Sequence, residues 1–225
     1  MLSNSFRRLL AAKFRISYAQ LGEDVVLAHL LKRVPHSYVD LGANHPAYGN
    51  NTFYSYLRGG RGICVDANAD FIPLYKKWRP GDTFFCSAVS NERRSTLSFA
   101  KQGSPVNWHV VSSPAKDHAN VEEVPNMHIN DILSRVKSET IDVLSVDVES
   151  STPDVIEAID YQTFRIAIIC VEINESEDSK NRAVRHLEQQ GFRMVALNPV
   201  NALFANPKLC DASPPTFRHG SSMCA

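Results

Sequence analysis

The chain has no net charge, since Lys plus Arg equals Asp plus Glu at 24 each. Without a basic field, nucleic acid is not an expected partner. No apolar run approaches the roughly 18 residues that a membrane-spanning helix needs, so no span is expected. The five cysteines are odd in number and are not spaced as close metal-binding pairs. Cys64, Cys86 and Cys170 lie in apolar, strand-like runs, where a reduced thiol behaves as a small hydrophobe. A disulfide framework is thereby disfavoured, and a reducing, cytoplasmic setting is expected. The glycine-rich G-x-G-x-x-G spacing of dinucleotide binders is also missing.

What is present suits one domain of 225 residues. Residues 1–21 carry Arg7, Arg8, Lys13 and Arg15 without an acid. A solvated extension is the commoner form of such a segment, and a targeting or membrane-surface segment is the alternative. Gly22-Glu23-Asp24 then opens an apolar helical face through Val25, Val26, Leu27, Leu30 and Leu31, with two acids at the helix amino terminus and Pro35 beyond its end.

From residue 37 the pattern alternates. Strands are predicted over 37–41, 62–66 and 83–89, with helices over 50–57 and 71–78 between them. This is the βαβαβ order of a doubly wound parallel sheet. Residues 96–99 read as an extra strand, but 103–124 is rich in Ser, Pro, His and Asn and reads as a long loop. The stretch 91–125 is therefore expected to be a lid or substrate-facing insertion. Order returns with a helix over 129–136, a strand over 141–147, and a helix from Pro153 to Asp160 capped by Thr152. A strand over 165–173, apolar enough to lie centrally, precedes a helix over 178–190. Two short strands, 192–197 and 202–205, are joined closely enough to be antiparallel, with Asn201 as a turn residue. Residues 206–225 read as an irregular tail.

Under this reading Asp40, Asp66, Ser87 and Asp147 fall at the carboxyl ends of successive parallel strands, the edge on which open α/β sheets bind ligands. A carboxylate at the end of the second strand can accept both hydroxyls of a ribose, which makes Asp66 the candidate for that role. The turn Gly42-Ala43-Asn44-His45-Pro46 lacks the glycines that let a backbone approach a pyrophosphate. A nucleoside without that group fits better, and S-adenosylmethionine is the common one.

Residues 17–24, 39–46, 50–54, 60–68 and 141–149, with Val171-Glu172, together resemble the FkbM-type methyltransferase family, in order and over nearly the whole domain. The resemblance implies an α/β, class I methyltransferase Rossmann-like fold, with a mostly parallel seven-stranded sheet that ends in an antiparallel hairpin. It also implies an S-adenosylmethionine-dependent O-methyltransferase acting on hydroxyls of sugars, glycolipids or other natural products, with S-adenosylhomocysteine as its product. Carried over by position, Asp40, Gly42, Ala43 and Asn44 would line the methionine end of the cofactor. Asp66 would hold the ribose, Ala67 and Asn68 would flank the adenine, and Ser87 with Ala88 would close over its edge. The family's usual glycine and second acid after the Asp-Val-Glu triplet are replaced here by Ser150, Ser151 and Thr152.

Methyl transfer to a hydroxyl needs the oxygen in line with the methyl group and benefits from a proton acceptor. Asp147, Glu149 and Glu172 are the candidates, the first two projecting from one face if the strand continues through them. Strand-end acids that only satisfy backbone donors are the structural alternative. No spacing specifies a metal ligand, although a divalent ion is not excluded. Gln20, Glu23, Asp24 and His45 are candidates for the acceptor side, although the two acids also suit a helix start and His45 a surface turn. His109, His118 and His128 lie in or beside the loosened stretch. N-methylation, protein methylation and a catalytically silent nucleotide-binding scaffold are the rival readings.

Overall fold

The computed structural model describes residues 16–31, 36–100, 109–110, 121–173 and 176–210. The expectations for residues 1–15, for His118 and for the tail beyond 210 lie outside the described residues. In chain order the elements are α1 (Glu23–Leu31), β1 (Ser37–Leu41), α2 (Phe53–Leu57), β2 (Arg61–Asp66), α3 (Phe71–Trp78), β3 (Thr83–Cys86), β4 (Ala88–Ser90), β5 (Thr96–Ala100), β6 (His109–Val110) and β7 (Val121–His128). They continue with α4 (Ile129–Leu133), β8 (Ile141–Val146), a 3-10 turn (Glu149–Ser151), α5 (Thr152–Glu157), β9 (Ile166–Glu172), α6 (Glu177–Gln189), β10 (Arg193–Leu197) and β11 (Asn201–Ala205).

Seven strands form one sheet in the order β10-β11-β9-β8-β1-β2-β3. The five from β9 to β3 are parallel, and β11 runs antiparallel to both β9 and β10. The expected mostly parallel sheet with its antiparallel hairpin is thus present. Helices cover both faces. Val39, Leu41, Leu144, Val146, Ile169 and Val171 pack on Val155, Ile156, Ala183 and Leu187 of α5 and α6. The alternate residues Tyr38, Cys64, Val143 and Cys170 meet Leu27, Leu30 and Leu31 of α1 and Tyr75 of α3. Burial on both sides is why these strands read as near-continuous apolar runs. The strand expected to be central, β9, is interior, but the middle position belongs to β8.

The stretch after β3 departs from expectation. The predicted strand over 83–89 breaks at Ser87, whose hydroxyl donates to the carbonyls of Ala88 (2.9 Å) and Pro125 (2.9 Å) and turns the chain away. The strand that follows joins a second sheet of order β4-β7-β5-β6. Part of the predicted loop is the eight-residue strand β7. Its residues 121–125 pair antiparallel with β5, whereas residues 126–128 pair parallel with β4. Pro125 sits where the partner changes, a place that tolerates the missing N–H. Its proline and its two glutamates hid this strand in the sequence. Thr152 is not a cap but the first residue of α5. Its hydroxyl accepts the Val148 N–H (3.3 Å).

The contact that sets the geometry of the sheet edge is between the turn after β1 and the end of β8. The Asp147 N–H donates to the Leu41 carbonyl (3.0 Å), and Gly42 and Ala43 both donate to the Val65 carbonyl (3.0 Å each). A Cβ on Gly42 would lie 1.6 Å from the Asp147 carbonyl oxygen, and the φ of +69° is itself unfavourable to a side chain. Only glycine fits. Gly42→Ala should therefore destabilise the fold by about 3 kcal/mol or more, the sum of an overpacking and a left-handed-backbone cost. Urea unfolding with an unchanged midpoint would contradict this packing.

Candidate functional site

The carboxyl edge of the sheet gathers most of the residues singled out in the sequence. Asp66, at the end of β2, accepts the N–H of Asn44 through Oδ2 (2.8 Å) and of Asn68 through Oδ1 (2.8 Å), tying the turn after β1 to the turn after β2. The Ser87 N–H donates to the Asp66 carbonyl (3.0 Å), which adds the end of β3 to the same group. Residues 40–44, 66–68 and 87–88 are thus contiguous. Asp66 is only partly buried, and each carboxylate oxygen has a further lone pair to offer a hydroxyl. Burial raises its carboxyl pKa, while the N–H bonds from Asn68 and Asn44 pull it back.

Asp40 is buried beneath the turn rather than open on it, at 3% exposure. Thr52 Oγ1 (2.6 Å) and Asn50 Nδ2 (3.2 Å) donate to its Oδ2, and Ser145 adds a third hydrogen bond. Burial raises its pKa, which the charge of Arg79 and these bonds oppose.

At the ends of β8 and β9, Asp147, Glu149 and Glu172 bring carboxylate oxygens within 4.8 Å of one another. The expected route, two acids on one face of a continuing strand, is corrected by the structure. The strand stops at Val146, and Glu149 takes a left-handed backbone, φ +53°, that opens the 3-10 turn. Three acids meet because two strand ends and a strained turn converge. Burial pushes the Asp147 carboxyl well above the usual carboxylate range, and the hydrogen bond to Glu172 and the charges of Glu172, Glu149 and Asp40 push it further. The Glu172 Oε2 is buried without a hydrogen-bond partner among the described residues. An all-oxygen set of this kind is also the donor set that suits a hard divalent cation.

The acceptor-side candidates have different environments. Glu23 and Asp24 are each 1% exposed. Glu23 Oε1 accepts Asn198 Nδ2 (2.8 Å) and Asn201 Nδ2 (2.8 Å), and its Oε2 accepts the Leu21 N–H (2.9 Å). Asp24 accepts Ser17 Oγ (2.7 Å) and the Tyr18 N–H (2.7 Å). These carboxylates organise residues 17–24 over the edge. Gln20 remains exposed and packs beside Gly49. His45 Nδ1 accepts the N–H groups of Ala47 (3.1 Å) and Tyr48 (3.2 Å), and partial burial lowers its pKa. His128 caps α4 through its Nδ1 (3.1 Å to the Asn130 N–H), and His109 lies in β6, whose backbone runs alongside the 3-10 turn.

Several residues of this edge were not foreseen. Asn51 donates through Nδ2 to Ser145 Oγ (3.1 Å), and Asn50, Thr52 and Arg79 form a buried network around Asp40. Asn201, read as a turn residue, is one of the two asparagines that donate to Glu23. The Asn-Asn-Thr run ahead of α2 was the available signal, a concentration of amide and hydroxyl groups too dense for a helix interior.

Four carboxylates, Asp66, Asp147, Glu149 and Glu172, line this one edge, and Asp40 lies buried beneath it. Such a field repels a pyrophosphate and favours a cationic ligand such as a sulfonium. The donor set therefore fits a cationic nucleoside such as S-adenosylmethionine.

Comparison with known proteins gives the family. The family described as methyltransferase FkbM domain matches residues 40–194, more than half of the chain. No curated protein matches. Among solved structures, the FkbM methyltransferase of Methylobacillus flagellatus KT is 12% identical, with 76% of this chain and 43% of that chain covered, at a TM-score of 0.45. Precorrin-6y C5,15-methyltransferase of Geobacter metallireducens GS-15 is 14% identical, covering 86% and 94% at a TM-score of 0.47. The 1,6-didemethyltoxoflavin-N1-methyltransferase of Burkholderia thailandensis, solved with 1,6-didemethyltoxoflavin and S-adenosylhomocysteine, is 13% identical, covering 92% and 91% at 0.46. With its family match and its parallel sheet closed by an antiparallel hairpin, the chain belongs to the FkbM methyltransferases, S-adenosylmethionine-dependent enzymes of Rossmann-like fold.

Proposed function

We propose that this methyltransferase acts on a hydroxyl of a sugar, glycolipid or other small natural product, with the acceptor lying against Asp147, Glu149 and Glu172. The observation that carries the reading is the meeting of these three carboxylates within 4.8 Å, directly beside the turn at Gly42. When bound, S-adenosylmethionine supplies an electrophilic methyl group on a sulfonium. Gly42, Ala43 and Asn44, with Asp40 buried beneath them, would hold its methionine end, Asp66 its ribose, and Ala67, Asn68, Ser87 and Ala88 its adenine.

The sulfonium is intrinsically reactive, so the protein's main task is to orient the acceptor oxygen. Asp147, once ionised, takes the hydroxyl proton, and Glu149 and Glu172 accept neighbouring hydroxyls of the acceptor. Gln20 and His45, on the same edge, are proposed as further acceptor contacts, while Glu23 and Asp24 hold the segment that carries Gln20. The closeness of β6 to the 3-10 turn supports the reading of residues 91–125 as the acceptor-facing part of a single domain.

Isothermal titration tests the cofactor half: S-adenosylhomocysteine should bind at micromolar levels or tighter, and no binding would end the reading. Asp66→Ala should weaken that affinity more than tenfold, about 1.4 kcal/mol or more, from lost charge-assisted hydrogen bonds. Equal affinity in a folded Asp66→Ala protein would move the ribose elsewhere. Screening sugar and glycolipid acceptors with labelled cofactor, with and without magnesium, tests the acceptor half. On an acceptor found this way, turnover should rise with pH, because the proton-accepting carboxyl must be ionised and its pKa is raised. Glu172→Gln removes a negative neighbour and should shift that rise to lower pH. A flat pH profile in the wild-type enzyme would count against a carboxylate base.

A further inference from the structure

We propose that Arg79 is a positioning residue for the cofactor, acting through Asn50 and Thr52 on the turn formed by residues 40–44. The proposal rests on that turn being the methionine-end contact of S-adenosylmethionine.

Arg79 closes α3, where its N–H donates to the Tyr75 carbonyl (2.8 Å), and is 1% exposed. Its guanidinium points beneath the sheet-edge turn instead of out to solvent. Nε donates to Asp82 Oδ2 (2.7 Å), Nη1 to Asn50 Oδ1 (3.0 Å) and Nη2 to Thr52 Oγ1 (2.9 Å). The rings of Tyr38, Tyr56 and Tyr75 surround it at 5.2–5.5 Å from their centroids.

The two sides of this fork have different tasks. On one side, Asp82 also accepts the Tyr38 hydroxyl (2.8 Å) and the Gly62 N–H (2.9 Å), which locks the start of β1 to the start of β2. On the other side, each group that Arg79 grips passes a hydrogen bond on to the turn. Thr52 Oγ1 donates to Asp40 Oδ2 (2.6 Å), and Asn50 Nδ2 donates to the same oxygen (3.2 Å) and to the Ala43 carbonyl (2.9 Å). The Tyr75 hydroxyl also donates to the Ala43 carbonyl (3.1 Å). The planar fork thereby sets the rotamers of Asn50 and Thr52, and these fix the side chain of Asp40 and the peptide plane after Ala43.

Stability alone does not account for such an arrangement. A buried ion pair gains little over well-packed apolar side chains of similar volume, because desolvating both charges costs several kcal/mol. An ion pair with Asp82 would also need only one edge of the guanidinium. The other two nitrogens are committed to Asn50 and Thr52, whose side chains bond one another and, beyond that, Asp40 and the Ala43 carbonyl.

The test uses the full chain and S-adenosylhomocysteine. Thr52→Val is nearly isosteric and deletes only the hydroxyl that joins Arg79 to Asp40, whereas Thr52→Ser keeps it. Titration well below the measured Tm should give Thr52→Val a Kd at least fivefold weaker than wild type and Thr52→Ser a Kd within twofold of it. Arg79→Lys, which retains the charge but not the fork, should weaken binding at least tenfold. A folded Thr52→Val protein with wild-type affinity would overturn the proposal, as would equal weakening in Thr52→Val and Thr52→Ser. If Thr52→Val does not fold, Arg79→Lys decides by the same comparison. Loss of fold in both would assign the network to stability and overturn the proposal as well. Absence of binding by the wild-type chain would remove the cofactor reading itself, a result distinct from all of these.

Discussion

The carbonyl of Asp147 occupies the space that a side chain on residue 42 would need. Everything at the sheet edge follows from that approach. It draws the end of β8 onto the turn after β1, so that Asp40 and Asn44 on one side and Asp147 and Glu149 on the other belong to one surface. A larger residue at position 42 would separate these groups even if each strand kept its place. The glycine serves close backbone packing as much as ligand access.

The second constraint is electrostatic. Carboxylates crowd the edge, and the structure handles each one differently. Asp40 is buried and shared among three donors, Asp66 is held by two backbone N–H groups, and Asp147 and Glu172 lean on one another. Glu23 and Asp24 are removed from the field by burial against asparagine, hydroxyl and backbone donors. Past β8 and β9, Asp147, Glu149 and Glu172 meet, and burial together with the charges of the two glutamates raises the pKa of Asp147.

Much of this could be read from the residues. Strands β1, β2, β8 and β9 stand out because burial on both faces leaves little polar residue to interrupt them, and Gly42 and Asp66 fall at their ends for the same reason. Strand β7 was hidden because Glu122, Glu123 and Pro125 are poor strand residues taken singly, and their pairing with β5 is tertiary information. The meeting of Glu149 with Glu172 depends on a left-handed backbone that glutamate seldom adopts, so no local pattern announced it. Arg79 escaped notice because arginine is almost always a surface residue. Glu23 and Asp24 were visible as helix-start acids, but their partners lie as far as 178 residues away.

That last separation bears on how the chain is assembled. Strand β11 lies between β9 and β10 in the sheet, although it is the last of them to be synthesised. Asn198 and Asn201, which satisfy the buried carboxylate of Glu23, emerge with it. During translation α1 therefore carries an acid two of whose donors do not yet exist, and its set of hydrogen bonds is incomplete until the terminal hairpin closes. The amino-terminal segment thus gains its full set of partners only once β11 is in place, and contacts of such long range slow folding. A ribosome-bound fragment that stops short of β11 would hold most of the parallel sheet but leave its functional edge unfinished.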